Sequence, residues 1–135
     1  MGVISLVSVY APTEASDLTV KDAFYATLES VVDQCPRRGT VLLLGDFIAS
    51  IGTERDGYET CIGSHGSGTV KQNSTKFLEF ARSHGLRLAG SWFQRQQAHR
   101  WTWHSNADGV AKEIDHVLVD ACWRIIQNCR VYRSA

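Results

Sequence analysis

The sequence predicts an α/β fold, and three neighbouring segments support this prediction. Residues 41–44 form an unbroken apolar run that stops at Gly45-Asp46, which is typical of a strand buried on both faces of a sheet. Residues 3–10 are mostly β-branched or aromatic, as strands are. Between these two segments, apolar residues recur every three or four positions, as on one face of a helix. Strand, helix and strand in this order form a βαβ-like unit.

The first predicted strand ends before Pro12, because proline removes a backbone donor from the sheet. The helix after it is expected to begin at Ser16 or Asp17, whose side chains are suited to cap a helix. It is expected to end before Pro36, and the central strand follows from residue 40.

The second half of the chain predicts a long loop, one helix and several strands. Residues 50–72 are rich in glycine and have few apolar residues that would anchor them, so a long loop is expected there. Asn73 is the predicted N-cap of the second helix. Further strands are predicted at residues 86–89, 100–104, 113–119 and 125–132, with a turn at residues 106–109.

Composition limits the classes of function. The 135 residues are enough for one domain, and Lys+Arg equals Asp+Glu at 14 each, so no strongly basic nucleic-acid binder is indicated. The four cysteines are far apart in the sequence and predict free thiols rather than a zinc module. No segment has the length of a membrane span, and we expect an intracellular protein without a membrane partner.

Two aspartates stand out as candidates for chemistry. Asp46 follows the central strand, at the sheet edge where open α/β sheets place their ligands, although it also fits a turn residue. Asp115 interrupts an apolar strand, where a carboxylate is costly unless it is paired or faces an edge. Two such acids favour a shared site. By the period of two, His116 points to the opposite face and is predicted to be a packing or surface residue.

Other polar residues lie at the ends of predicted elements. Thr102 stands between two tryptophans, where a hydroxyl for a phosphate and a ring for a base would be adjacent, although core packing of Trp101 or Trp103 explains the pattern equally. Three more hydrogen-bonding residues, each of which alone fits a cap or turn, are Tyr10, Thr13 and Asn73.

Taken in order, four motifs resemble the endonuclease/exonuclease/phosphatase superfamily. They are Tyr10-Ala11-Pro12-Thr13, Leu44-Gly45-Asp46-Phe47, Trp101-Thr102-Trp103-His104-Ser105 and Ile114-Asp115-His116-Val117-Leu118. The likeness is strongest to the endonuclease domains of LINE-type (non-LTR) retrotransposons and to craniofacial development protein 2-like proteins. It extends over nearly the whole chain.

This resemblance implies a partial four-layer α/β sandwich of the DNase I-like type, in which helices flank two packed sheets. It also implies hydrolysis of phosphodiesters in DNA with a divalent metal, Mg²⁺ in the parent family. By the same likeness, Asp46 orients or activates the attacking water and Asp115 orients a catalytic histidine. The implied substrate-binding residues are Tyr10, Thr13, Asn73 and Thr102.

The chain departs from the family pattern at Ile48, where the family has an asparagine. The family's metal-binding glutamate and its closing Ser-Asp-His are also not found in residues 1–135. We therefore expect one partial domain over residues 1–135, an inactive fragment with DNA as the parent family's partner, a nuclear location, and self-association through an exposed sheet. Two alternatives remain: a non-catalytic module that binds nucleic acid or protein, and a fragment of a lipid or nucleotide phosphatase.

Overall fold

The computed structural model describes residues 3–52, 55–66, 72–93, 102–104, 111–120 and 129. Along the chain the elements are β1 (Ile4–Tyr10), α1 (Leu18–Asp33), β2 (Thr40–Asp46), α2 (Gln72–Ser83), β3 (Arg87–Leu88), a short 3-10 turn (Ala89–Trp92), β4 (Trp103–His104), β5 (Ala111–Lys112) and β6 (Asp115–Val119). The predicted turn at 106–109 and nearly all of the predicted strand at 125–132 lie outside the described residues.

Four of these strands form one mixed sheet in the order β1-β2-β6-β3. β1 pairs with β2 in parallel, whereas β6 runs antiparallel to both β2 and β3. The parallel pair with α1 between its strands confirms the predicted βαβ-like unit, and the α/β class is confirmed with it. β4 and β5 pair separately as a small antiparallel ribbon. None of the described helices is long and apolar enough to cross a membrane.

Both helices pack on the same face of the sheet. Leu43 of β2 and Leu118 of β6 are neighbours in register and fully buried, and they share one apolar cluster with Leu28 of α1 and Phe77 of α2. The helices also touch each other, since the rings of Tyr25 and Phe80 are 5.6 Å apart. This apolar cluster between the sheet and the two helices is the core that holds the ends of the strands in position.

The prediction that the central strand is buried on both faces is wrong. Residues of β2 alternate in burial, and Leu44 on the outer face is 37% exposed. Ile4 and Leu6 of β1 share that face by register and are 58% and 66% exposed. The physical reason is that both helices pack on the opposite face, so β2 buries only alternate side chains. An exposed apolar sheet face, which the sequence also predicts, is therefore confirmed.

The described part of the glycine-rich segment is better anchored than the sequence suggests. Cys61 and Ile62 are each 1% exposed, and the carbonyl of Cys61 accepts a hydrogen bond from the Leu88 amide at 2.7 Å. Gly63 continues this contact, because its amide donates to the Ser91 hydroxyl at 2.9 Å. The segment thus packs beside β3. The thiols of Cys35 and Cys61 form no disulfide, as predicted.

Candidate functional site

Three of the predicted site residues form a row across the ends of three adjacent strands. Tyr10, the last residue of β1, is the register partner of Asp46, the last residue of β2. Asp46 in turn stands opposite Asp115, the first residue of β6. Register partners on neighbouring strands point to the same face of a sheet. The outer face therefore carries a phenol and two carboxylates side by side, with Tyr10 77% exposed.

Thr102 joins this row through the backbone of β6. Its hydroxyl oxygen accepts hydrogen bonds from the amides of Ile114 at 3.0 Å and Asp115 at 3.1 Å. The hydroxyl fixes the backbone where β6 begins, and its own proton is still available for a further acceptor, because a hydroxyl donates once and accepts twice. The structure brings Thr102 next to Asp115, and its contact with a substrate phosphate stays a prediction.

The loop after β2 holds Asp46 in a defined orientation. Its Oδ1 accepts a hydrogen bond from the Ile48 amide at 3.0 Å. Ile48 itself has a φ of 48°, a left-handed conformation that is costly for a β-branched residue. Burial raises the pKa of the Asp46 carboxyl, the Ile48 amide opposes this effect, and the neighbouring Asp115 charge raises the pKa further. The two carboxylates therefore influence each other.

Asn73 ties together the loops that leave β1 and β2. Its side-chain amide nitrogen donates to the carbonyls of Pro12 and Ile48, both at 3.1 Å, and the residue is only 4% exposed. Both N–H groups of the amide are thus engaged within the protein. These contacts give Asn73 a positioning role, and its predicted contact with substrate stays a prediction.

The prediction that Asn73 is the N-cap of the second helix is wrong. α2 already includes Gln72, so Asn73 lies in its first turn. Instead, the carboxylate of Glu14, from the loop after β1, accepts a hydrogen bond from the Asn73 amide at 3.1 Å. The helix therefore takes this contact from a residue distant in sequence, since a carboxylate near a helix N-terminus is favourable.

Lys21 helps to hold the site in place, and the sequence analysis did not identify it. It is 1% exposed, and its Nζ donates to the Glu14 carbonyl and to Oε1 of Gln72, both at 2.8 Å. A sequence signal exists, because Lys21 lies four and seven positions before Tyr25 and Leu28 on the apolar stripe of α1. A lysine on such a stripe indicates a buried partner, here the loop after β1.

His116 supports the same region from the core. It lies on the face opposite Asp115, as predicted, and it is 7% exposed. Its ring stacks on Phe77 with centroids 5.1 Å apart, and Nε2 lies 2.6 Å from the Ala49 carbonyl. Burial lowers the pKa of His116, so the neutral ring donates from Nε2 and fixes the loop that follows Asp46.

Thr13 lies just beyond the row, in the loop after β1. It is exposed, and its hydroxyl is 3.2 Å from that of Ser16. The structure thus brings Tyr10, Asp46, Asp115 and Thr102 together on one surface. Thr13 borders this surface, and Asn73 lies beneath it.

The donor chemistry of the row suits a hard divalent cation in part. Mg²⁺ is commonly bound by one or two protein carboxylates together with substrate phosphates and water. Asp46 and Asp115 supply two carboxylates. Within the described ranges, however, no three His, Cys, Asp or Glu residues are grouped closely enough to hold a metal ion. Asp46 and Asp115 would therefore hold a cation together with a substrate phosphate. The cation would neutralise the negative charges of the carboxylates and the phosphate.

Replacing Asp46 with asparagine is expected to stabilise the fold at neutral pH. A raised pKa in the folded state means that ionisation of Asp46 favours unfolding once the pH exceeds the unfolded value of 3.8. Asp46→Asn removes this cost and keeps an oxygen that can accept the Ile48 amide bond. Thermal unfolding should show a higher melting temperature at neutral pH and a smaller difference near about pH 4.

Asp56→Asn is the matched control, because it removes the same charge from an exposed position in the segment 55–66. A variant Asp46→Asn that unfolds more easily than the native chain at neutral pH would show that the carboxylate is not under electrostatic strain.

The mixed sheet with helices on one face and polar residues at its strand ends has a DNase I-like fold. The chain is similar in structure to the 3′ phosphatase NExo from Neisseria bound to product DNA hairpin, with a TM-score of 0.61 and 19% sequence identity. The match covers 87% of this chain and 48% of that one.

In sequence, the chain is similar to craniofacial development protein 2 from Bos taurus, with 24% identity over 121 residues, and to the same protein from Tragulus javanicus, with 23% over 121 residues. Each match covers 90% of this chain. No family model matches the chain. The predicted similarity to craniofacial development protein 2-like proteins and the predicted DNase I-like fold are thus both confirmed.

The chain spans only about a fifth of the length of these curated relatives, 20% and 21%. It spans 48% of the solved chain. What the whole relatives do is therefore a separate question from what these 135 residues do.

Proposed function

We propose that this chain derives from a divalent-metal-dependent DNA endonuclease of the LINE retrotransposon type. The observation that supports this proposal is the row of Tyr10, Asp46 and Asp115 on one sheet face. In such a site one carboxylate orients the attacking water, and hydroxyl donors contact the phosphate. We assign the first role to Asp46 and the second to Tyr10 and Thr102.

A cation would be required for a phosphate to approach this face. Two carboxylates repel a phosphate, and Asp46 already responds to the charge of Asp115. A divalent ion between the carboxylates and the phosphate would convert this repulsion into attraction. Binding of DNA at the row should therefore depend on Mg²⁺.

We further propose that the chain binds DNA without cleaving it. Ile48 occupies the motif position of a hydrogen-bonding asparagine, and its side chain can neither donate nor accept a hydrogen bond. Loss of one preorganised donor typically lowers the rate about 10²–10³-fold. The two carboxylates also lack a third metal-binding side chain among the described residues.

The test combines a nicking assay with a binding titration. Supercoiled plasmid should stay intact with the chain and Mg²⁺ or Mn²⁺. A labelled DNA duplex should bind more tightly with Mg²⁺ than with EDTA, and binding should weaken as monovalent salt rises. Asp46→Asn and Asp115→Asn should each remove the Mg²⁺ effect, whereas the control Asp56→Asn should keep it.

Two results would contradict the proposal. Metal-dependent nicking that Asp46→Asn abolishes would show that the chain is an active nuclease. DNA binding that is indifferent to Mg²⁺ in the native chain would mean that the row is not the phosphate site and that DNA contacts another surface. A DNA partner also leads us to propose a nuclear location.

A second candidate function is removal of a phosphate from a DNA 3′ end. The observation that favours it is the structural similarity to NExo, which is a 3′ phosphatase bound to product DNA hairpin. Incubation of the chain and Mg²⁺ with a 3′-phosphorylated oligonucleotide separates the two candidates. A phosphatase would release inorganic phosphate and leave the strand intact, whereas an endonuclease would shorten the strand.

A further inference from the structure

Lys21 is a buried cation beside the loops that carry the row. Its side chain is 1% exposed, and the Glu14 carboxylate, 3.8 Å from Nζ, is 39% exposed. Burial of a charge costs free energy, and a distant, partly hydrated partner offsets this cost only in part. A methionine of similar length would fill the same space without the cost. Stability alone therefore does not explain a lysine at this position.

The contacts of Lys21 join two segments that are distant in the sequence. Its Nζ donates to the backbone carbonyl of Glu14, in the loop after β1, and to Oε1 of Gln72, the first residue of α2. Both distances are 2.8 Å. The Glu14 carboxylate strengthens the same junction, because its Oε2 accepts a hydrogen bond from the Asn73 amide at 3.1 Å. Lys21 therefore fixes the loop after β1 against the first turn of α2.

Hydrogen bonds continue from this junction to Asp46. The side-chain amide of Asn73 donates to the carbonyls of Pro12 and Ile48, both at 3.1 Å. The backbone amide of Ile48 in turn donates to Oδ1 of Asp46 at 3.0 Å. Consecutive contacts thus connect the first turn of α2 with the central carboxylate of the row.

We propose that Lys21 is a positioning residue for the row. Through the contacts at Asn73, it fixes the orientation in which Asp46 binds a divalent cation together with a DNA phosphate. Lys21 does not touch the DNA itself, because it is buried between the loop after β1 and α2. Residues that orient a metal ligand from behind typically change metal affinity about 10–100-fold. This inference rests on the proposed function of the row.

The first test measures the Mg²⁺ concentration at which binding of a labelled DNA duplex is half-maximal. Lys21→Met removes both hydrogen bonds and keeps an unbranched side chain of similar length. The Mg²⁺ midpoint should rise at least about tenfold. Binding in EDTA should weaken only as far as the loss of one positive charge requires.

Lys76→Met is the matched control. Lys76 of α2 donates to the carboxylate of Asp22 on α1, so this variant also removes one positive charge and one contact between the two helices. It leaves the hydrogen bonds that lead to Asp46 in place. The Mg²⁺ midpoint of Lys76→Met should therefore equal that of the native chain, which separates positioning from loss of charge.

Two further measurements distinguish positioning from general support of the fold. The melting temperature of Lys21→Met should stay within about 5 °C of the native value, because removal of the buried charge offsets the lost hydrogen bonds. Hydrogen exchange should become faster at the Ile48 amide, whose acceptor is Asp46, and stay unchanged at the buried Leu43 of β2. A residue that only supports the fold would change both amides.

Glu14→Ala tests the next contact in the series. The variant loses the carboxylate that accepts from Asn73 and keeps the backbone carbonyl that Lys21 uses. It should also raise the Mg²⁺ midpoint. In the double variant with Lys21→Met, the rise should be smaller than the product of the two single effects, because residues of one network are not additive.

The proposed function and this inference fail in different ways. If DNA binding by the native chain ignores Mg²⁺, the proposed function fails, and exchange at Ile48 still decides whether Lys21 orders the loop at Asp46. If the native chain responds to Mg²⁺ but Lys21→Met has the same midpoint as Lys76→Met, only the inference fails. A Lys21→Met chain that does not fold, or that exchanges faster throughout β2, would also overturn it, because Lys21 would then serve stability.

Discussion

Gly45→Ala is expected to destabilise the fold by about 3 kcal/mol or more, the largest effect that we predict for a single substitution. A Cβ at this position would lie 2.1 Å from the Val9 carbonyl oxygen, which belongs to the neighbouring strand. Gly45 also has a φ of 146°, which side chains rarely adopt. Backbone cannot move away here without breaking the pairing of β1 with β2. Urea unfolding followed by circular dichroism measures the loss.

Gly85→Ala is the matched control. Gly85 also has a positive φ, 64°, but no atom lies within 4 Å of an added Cβ. Gly85→Ala should lower the free energy of unfolding by only about 1–2 kcal/mol, the cost of placing a residue with a Cβ in the left-handed conformation. If the two alanine variants lose the same stability, close approach of the strands at Gly45 does not limit the fold. Because Gly45 precedes Asp46, Gly45→Ala should also impair the DNA binding that we propose.

Ile48→Asn is expected to stabilise the fold by about 1 kcal/mol, an unusual result for the removal of a half-buried apolar side chain. The reason is the φ of 48°, which asparagine tolerates and isoleucine does not. The backbone contacts to Asp46 and Asn73 use only the amide and carbonyl of residue 48. They should therefore persist in the variant and hold the same conformation.

Ile48→Val controls for this explanation, since valine is also β-branched and should retain the strain. Both proteins are compared with the native chain by thermal and urea unfolding. Greater stability of Ile48→Val than of Ile48→Asn would contradict the strain argument. Asparagine also supplies the hydrogen-bonding group that the motif otherwise has at this position. In an assay where any nuclease activity is measurable, Ile48→Asn should therefore raise it.

The stability and binding predictions share one physical basis. Asp46 is costly to the fold when ionised, and Ile48 is strained, yet contacts from Asn73 and His116 keep the loop in place. A carboxylate with a raised pKa is typical of sites where function selects the residue, whereas the strain at Ile48 falls where the motif otherwise has asparagine. The loop after β2 is therefore the part of the chain where stability and chemistry conflict most directly.

Local sequence patterns were sufficient for the elements whose burial follows a simple period. α1 lies where apolar periodicity predicts it, and the strands at residues 4–10, 40–46 and 115–119 lie where their apolar and β-branched residues predict them. The period of two also separated Asp115 from His116 correctly. The sequence was sufficient to select Asp46, which follows a predicted apolar strand, and Asp115, which interrupts one.

Contacts between distant segments decided the rest, because they depend on which elements the fold brings together. Register set Tyr10, Asp46 and Asp115 in one row, a relation that no local spacing encodes. Packing of both helices on one face left Leu44 exposed although its segment is uniformly apolar. Glu14 took the contact at α2 that Asn73 was expected to make by capping, since a loop from β1 lies there. The strain at Ile48 is visible only in the backbone conformation, since its sequence position indicates a missing hydrogen bond and not a φ of 48°.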